Sequence, residues 1–273
     1  MAKANDIKLA VDAIQTDVTE FGDMLGDIQA FTNETNVVVK DILNGRQISE
    51  WIADLETSGT ASATYADSDR MNALIADTDA CKNVKISQIL LDWAVAQNKA
   101  SIYFGSAIGN VSGVTWDNLS NVDAIMGNSA AFTMIANDST VFSAVMKNAV
   151  CRPSIYRNYL VTEAVIRGSE VARTVLDKEK FVVEIYDAWD SPKSKPLTKN
   201  MYLIDVYFPD ASQYATQAID ITKADGSSER FTFKFDGGNA RDVQRMCQKV
   251  WITLLNTNSG TAIRAQARYV DFS

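Results

Sequence analysis

Near the amino terminus the apolar residues Ile7, Val11, Ile14, Val18, Phe21, Leu25 and Ile28 follow one another at alternating spacings of four and three. A repeat of 3.5 residues keeps one stripe against a partner helix along its whole length, whereas a helix on an ordinary globular core drifts to 3.6. In this register Ile7, Ile14, Phe21 and Ile28 take the d positions of a heptad, and Val11, Val18 and Leu25 take a. The register runs on through Thr32 and Thr35 to Val39 and Ile42. β-Branched residues at both a and d disfavour a parallel dimer and favour three or more strands. The g positions Ala10, Met24, Phe31 and Val38 widen the seam in the same direction. Thr32 and Thr35 form a polar interruption that fixes register. Gly22 and Gly26 each weaken the helix interior by about 1 kcal/mol relative to alanine, which makes the helix dependent on partners. The expectation is a homotrimeric coiled coil within residues 1–56, with Ile7, Val11, Ile14, Val18, Phe21, Leu25, Ile28, Val39 and Ile42 at its interface. The alternative is a single helix facing its own core. Gly45 is expected to end the first helix, and a second pattern covers Ile48, Trp51, Ile52 and Leu55.

The remainder divides into four stretches. Residues 57–121 begin with Thr57-Ser58-Gly59-Thr60-Ala61-Ser62-Ala63-Thr64, a small and polar run that reads as a linker. Helical periodicity follows at Met71–Ile75 and over Val84–Val95. Residues 122–151 carry an internal repeat of ten residues, starting at Val122, Phe132 and Phe142. Apolar residues recur at its first, third and fourth places, Asn or Asp at the seventh, and Ser or Ala at the eighth. Each block fits a helix of under two turns followed by a polar turn, with Asp138 or Ser139 capping the next helix. Such a helix cannot bury its own face, so neighbours must stack. Residues 152–179 read as one further helix with Pro153 near its start. From 180 to 273 the period changes to two. Strands are expected at Phe181–Tyr186, Met201–Phe208, Gln217–Thr222, Arg230–Phe235 and Ala262–Phe272, with a hairpin turn at Ala224–Ser227 and a short helix over Asn239–Lys249. The fold class is therefore α+β: a trimeric coiled coil, a central short-helix repeat and a mainly β domain.

Composition narrows the chemistry. The chain has no histidine, the commonest general base near neutral pH and the commonest transition-metal ligand. Cys81, Cys151 and Cys247 are far apart and odd in number, fitting neither a disulfide framework nor a thiolate metal cluster. Each reads as a small buried apolar residue in a protein assembled in a reducing cytoplasm. A net charge of −8 without a basic cluster argues against nucleic acid as a partner. No run of about 18 apolar residues suggests a membrane span, and the first residues lack the apolar core of a signal peptide. Asp236-Gly237-Gly238 lacks the Gly-Lys-Ser/Thr ending of a phosphate loop. Asp187 and Asp205 read as surface charges rather than a catalytic pair. Trp189, Tyr202, Tyr207 and Trp251 read as packing residues before a glycan platform. No enzymatic activity, cofactor or metal is expected.

The stretches Phe132-Thr-Met-Ile-Ala-Asn-Asp-Ser-Thr and Phe142-Ser-Ala-Val-Met-Lys-Asn resemble ten-residue repeats of tailed-bacteriophage structural proteins, in which units such as Ala-Met-x-Ala-Val-Ala-x-Ser-x-Thr run in tandem. The resemblance covers about 35 residues and departs from the pattern in carrying Phe where Met is usual. It implies a virion component, assembled in the host cytoplasm: a homotrimeric fibre, whisker or decoration whose partners are itself and other virion proteins. The alternative it implies is a receptor-binding module whose β domain recognises a host-surface glycan or protein. No catalytic residues come with it.

Overall fold

The computed structural model describes residues 2–187, 196–208, 216–234, 240–254 and 263–273. Twelve α-helices precede six β-strands among the described residues. The chain forms two units, Met1–Asp54 and Leu55–Ser273. The first consists of most of one long helix, α1 (Ala2–Ser58).

Gly45 does not end that helix, contrary to expectation. Its φ is not among the positive values that a glycine stop requires, and its carbonyl accepts a hydrogen bond from Ser49 Oγ at 2.9 Å. A single glycine costs about 1 kcal/mol in a helix interior, too little to interrupt good helix formers on both sides. The expected linker is also structured. Gly59–Ala61 forms a 3-10 turn, and Ser62 caps the short helix α2 (Ala63–Ala66) by accepting from Tyr65 N–H at 2.9 Å. Thr64 is buried there.

The second unit continues with α3 (Ser68–Ile75), α4 (Thr78–Lys82), α5 (Ser87–Ala96) and α6 (Ala100–Ile108). Then come α7 (Val122–Gly127), α8 (Ser129–Ala136), α9 (Ser139–Lys147), α10 (Cys151–Arg157), α11 (Tyr159–Gly168) and α12 (Glu170–Lys178). The ten-residue blocks are α7, α8 and α9. Each starts on a short polar side chain that accepts from a free backbone N–H of the first turn. Asn121 accepts from Ala124 N–H at 2.9 Å, Asn128 from Ala131 N–H at 3.0 Å, and Asp138 from Thr140 and Val141 N–H at 3.0 and 3.1 Å.

The repeat reaches further than three copies. Asn148 and Asn158 continue the spacing of Asn128 and Asp138, and the stretch expected as one helix over 152–179 is broken after Arg157 and again at Ser169. Asn148 accepts from Val150 and Cys151 N–H at 2.9 and 2.8 Å. Ser169 caps α12 through Ala172 N–H at 3.1 Å. Packing follows a simple rule: α7 lies on α10, α8 on α11, and α9 on α12. Three short helices thus make one turn of a superhelix, and each helix buries its apolar face against the one three places on. Polar links join the turns. Arg157 Nη2 meets Asp123 at 2.8 Å, and Ser169 Oγ donates to the Ala136 carbonyl at 3.0 Å. A Cβ on Gly127 would stand 2.7 Å from Asn158 Oδ1, so glycine lets α7 approach the start of α11.

The strands β1 (Phe181–Asp187), β2 (Leu197–Tyr207), β3 (Thr216–Lys223), β4 (Ser228–Lys234), β5 (Arg241–Leu254) and β6 (Ile263–Asp271) form one antiparallel sheet in the order β1-β6-β2-β5-β3-β4. β1 also approaches β5, which is not its neighbour, so the sheet curls over its own core. That core includes Met201, Leu203, Ile219, Ile221, Cys247 and Val250. The turn joining β3 and β4 carries Gly226 at φ +82°, as expected of a hairpin. Phe231 is half-buried against the core, while Phe235 lies outside the described residues.

The short helix expected over Asn239–Lys249 is instead the first part of β5. Val243, Cys247 and Val250 recur at spacings of four and three yet share the core face of a strand. Two register shifts against β2, one of them at Gln244 with φ +51°, break the strict alternation and produce a helix-like spacing.

Candidate functional site

The sequence places the candidate site on α1, and the first unit has no tertiary structure to hide it. Every described seam side chain is about half exposed or more, from 47% at Val39 to 66% at Ile7 and Val18. Val11, Ile14, Phe21, Leu25 and Ile28 fall between those limits. The backbone of Ile42 is helical, and its side chain lies outside the described residues. The flanking Met24, Phe31 and Val38 are exposed as well. Leu9 and Val37 are two further exposed apolar residues that the heptad does not account for.

Two details bear on what this face can do. Thr32 Oγ1 donates to the Ile28 carbonyl and Thr35 Oγ1 to the Phe31 carbonyl, both at 2.8 Å. Hydroxyls satisfied within their own helix bring no unpaired polar group into an interface. The polar side chains are one-signed: Asp12, Asp17, Glu20, Asp23, Asp27 and Glu34 occur between Lys8 and Lys40 with no cation among them. Only Asp17 stands at a position flanking the seam; the other five project from the far side of the helix. An amphipathic helix that lies on a membrane surface carries Lys and Arg on its polar face, the opposite of this arrangement. No helix among the described residues is long and apolar enough to cross a membrane.

Among the described residues, no group of three or more Cys, Asp and Glu side chains is placed to hold a metal ion. Cys81, Cys151 and Cys247 are free and buried. Burial is the main cause that pushes all three thiols up to about 12, so they are poor nucleophiles. Asp205 is not a surface charge. It is buried in a two-point ion pair, accepting from Nε and Nη2 of the Arg268 guanidinium. The side chain of Asp187 lies outside the described residues. The four aromatic residues do not stand alike: Tyr202 is buried, Tyr207 is half-buried, Trp251 is half-buried with Lys249 Nζ 4.9 Å from its ring centre, and Trp189 lies outside the described residues.

Comparison with known proteins adds no identity: no family model matches the chain, and no curated protein is significantly similar to it.

Proposed function

We propose that this chain is a structural protein that acts by assembling with copies of itself, through a homotrimeric coiled coil formed by α1. The observation that carries the reading is the exposed apolar face of residues 7–39, repeating every 3.5 residues and interrupted at Thr32 and Thr35. Fully burying one such side chain contributes roughly 1.5–3 kcal/mol, so a seam of this length supports association of several chains. β-Branched residues at a and d, with apolar residues at g, favour three strands. At about 1.5 Å per residue, α1 is a rod of roughly 85 Å. Its acidic residues face outward in such a bundle, where water solvates them.

The rod, the superhelix of capped short helices and the curled sheet suit a fibre, whisker or decoration of a tailed-phage virion, with other virion proteins as further partners. In this reading the protein has no enzymatic activity and is built into the particle in the host cytoplasm. Sedimentation equilibrium of the full chain tests the assembly. A mass of three 30.0 kDa chains at micromolar concentration is expected. Ile14→Asp buries a charge at a central d position and is expected to shift the mass towards one chain, while Lys199→Ala leaves it unchanged. A wild-type monomer overturns the reading.

A further inference from the structure

A cleft of about 470 Å³ opens between α12 and the outer face of the sheet at β2, β5 and β6. That volume lies within the range of small-molecule sites. Three irregularities meet on its walls, the last two at one bulge where β2 faces both β5 and β6. The first is Tyr202, 1% exposed, whose hydroxyl has no hydrogen-bond partner among the described residues. A buried hydroxyl left unpaired costs about 1–3 kcal/mol, and such groups in a folded protein call for an explanation. The second is Gln244, a non-glycine residue at φ +51°. The third is the register shift at Ile204, where one extra residue of β2 faces β6 and re-aims the strand. Strained backbone and bulges gather where a fold positions a ligand.

The charges on the walls are only partly used. Asp205 and Arg268 neutralise each other, and Asp177 pairs with Lys180. Arg173 and Glu170 on α12 have no ionic partner among the described residues. Asp242 on β5 has none either; it accepts only from the Gln244 side-chain amide, at 2.6 Å. The cleft therefore offers the Arg173 guanidinium and the Lys178 ammonium on its helix wall and the Asp242 carboxylate on its sheet wall, with the unpartnered Tyr202 hydroxyl in the lining.

We infer that this cleft binds a zwitterion of amino-acid to dipeptide size, its carboxylate taken by Arg173, its ammonium by Asp242, and the Tyr202 hydroxyl completing the polar contacts. A zwitterion meets both charges at once, whereas a neutral or singly charged ligand meets at most one of them. The inference is independent of the oligomeric state of α1.

The probe is the dipeptide Ala-Ala with its N-acetylated and C-amidated forms, titrated calorimetrically into the full chain. Ala-Ala is expected to bind, and each capped form at least about tenfold more weakly, the ratio that corresponds to losing one charge-assisted hydrogen bond. Asp242→Asn is expected to make the free and N-acetylated dipeptides bind alike, and Arg173→Gln to do the same for the free and amidated ones. Tyr202→Phe is expected to leave the unliganded chain as stable as before, or more so, yet weaken binding. Both charge variants sit on exposed side chains and should sediment as the wild type does, which separates a failure here from a failure of assembly. The inference is overturned if Ala-Ala does not bind, if the capped forms bind equally well, or if glucuronate, which has a carboxylate and no ammonium, binds as tightly.

Discussion

The rings of Phe132 and Phe142 meet edge to face, 6.2 Å apart and 73° between planes, and both side chains are fully buried. They hold the same place in successive ten-residue blocks, so the contact is the repeat seen from inside. Phe132→Ala or Phe142→Ala removes apolar burial and the edge-to-face pairing and leaves a cavity. Each is expected to cost about 3–5 kcal/mol in denaturant unfolding. Met134→Ala, at the third place of the same block and exposed, should cost well under half of that.

The polar residue that closes each block should matter in proportion to what else it holds. Asp138→Ala removes the cap of α9 and a 3.6 Å pair with Lys82, for about 1 kcal/mol. Asn148 caps α10 and also donates to Asp92 on α5 at 2.6 Å from a nearly closed site. Asn148→Ala removes the bond to Asp92, which keeps one from Gln88 at 2.8 Å, and leaves two α10 backbone donors unpaired beside a buried site, so its loss should exceed that of Asp138→Ala in the same unfolding assay.

These two residues also show how far the sequence could be read. Phe132 and Phe142 were legible because the period of ten repeats strong signals: an aromatic residue inside and a capping residue at the turn. Asn148 closes the third block and was read with it; Asn158 carries the same period, but the apolar residues before it no longer match the first three blocks, and a lone capping residue does not announce a helix. Asp67 and Asp77, which cap α3 and α4 at the same spacing, were missed for that reason. At Gly45 a stop signal was overridden because the flanking residues favour helix. In β5 the two bulges gave Val243, Cys247 and Val250 a helical spacing that local sequence cannot distinguish from a helix. The exposed apolar stripe of α1 was legible over residues 7–39, since its period needs no tertiary context. The cleft under α12 was not, because Arg173, Tyr202 and Asp242 come together only through the packing of helix on sheet.

The cysteines give a direct test of the second unit's core. Cys81, Cys151 and Cys247 are free and buried, with thiols held at about 12. At pH 8 the native chain is expected to react with a thiol reagent such as dithionitrobenzoate at none of the three within minutes. After unfolding under non-reducing conditions all three should titrate. A fast native thiol would place one of them at the surface, and fewer than three after unfolding would reveal a disulfide.

Acid should loosen the junction between the first and second turns of the helical coil. Asp123 on α7 accepts from Ser154 Oγ and from the Arg157 guanidinium on α10, and these partners hold its carboxyl below the ordinary 3.8 against a smaller opposing effect of burial. A carboxyl whose folded-state pKa is depressed contributes stability that is complete above the unfolded value and is lost as pH falls through the folded one. The Asp123 and Arg157 side chains are each more than half exposed, so solvent screens the pair and the contribution is modest. Asp123→Asn should therefore lower the unfolding midpoint at pH 7. The gap between variant and wild type should then close as pH falls below 3.8, where the wild-type carboxyl also becomes neutral. Ser154→Ala should narrow the same acid-dependent step, because the Ser154 hydroxyl is the largest of the influences that lower this carboxyl. A constant gap between Asp123→Asn and wild type from pH 7 to pH 2.5, about one unit or more below the aspartate value, would show that the ion pair between α7 and α10 contributes nothing through its charge.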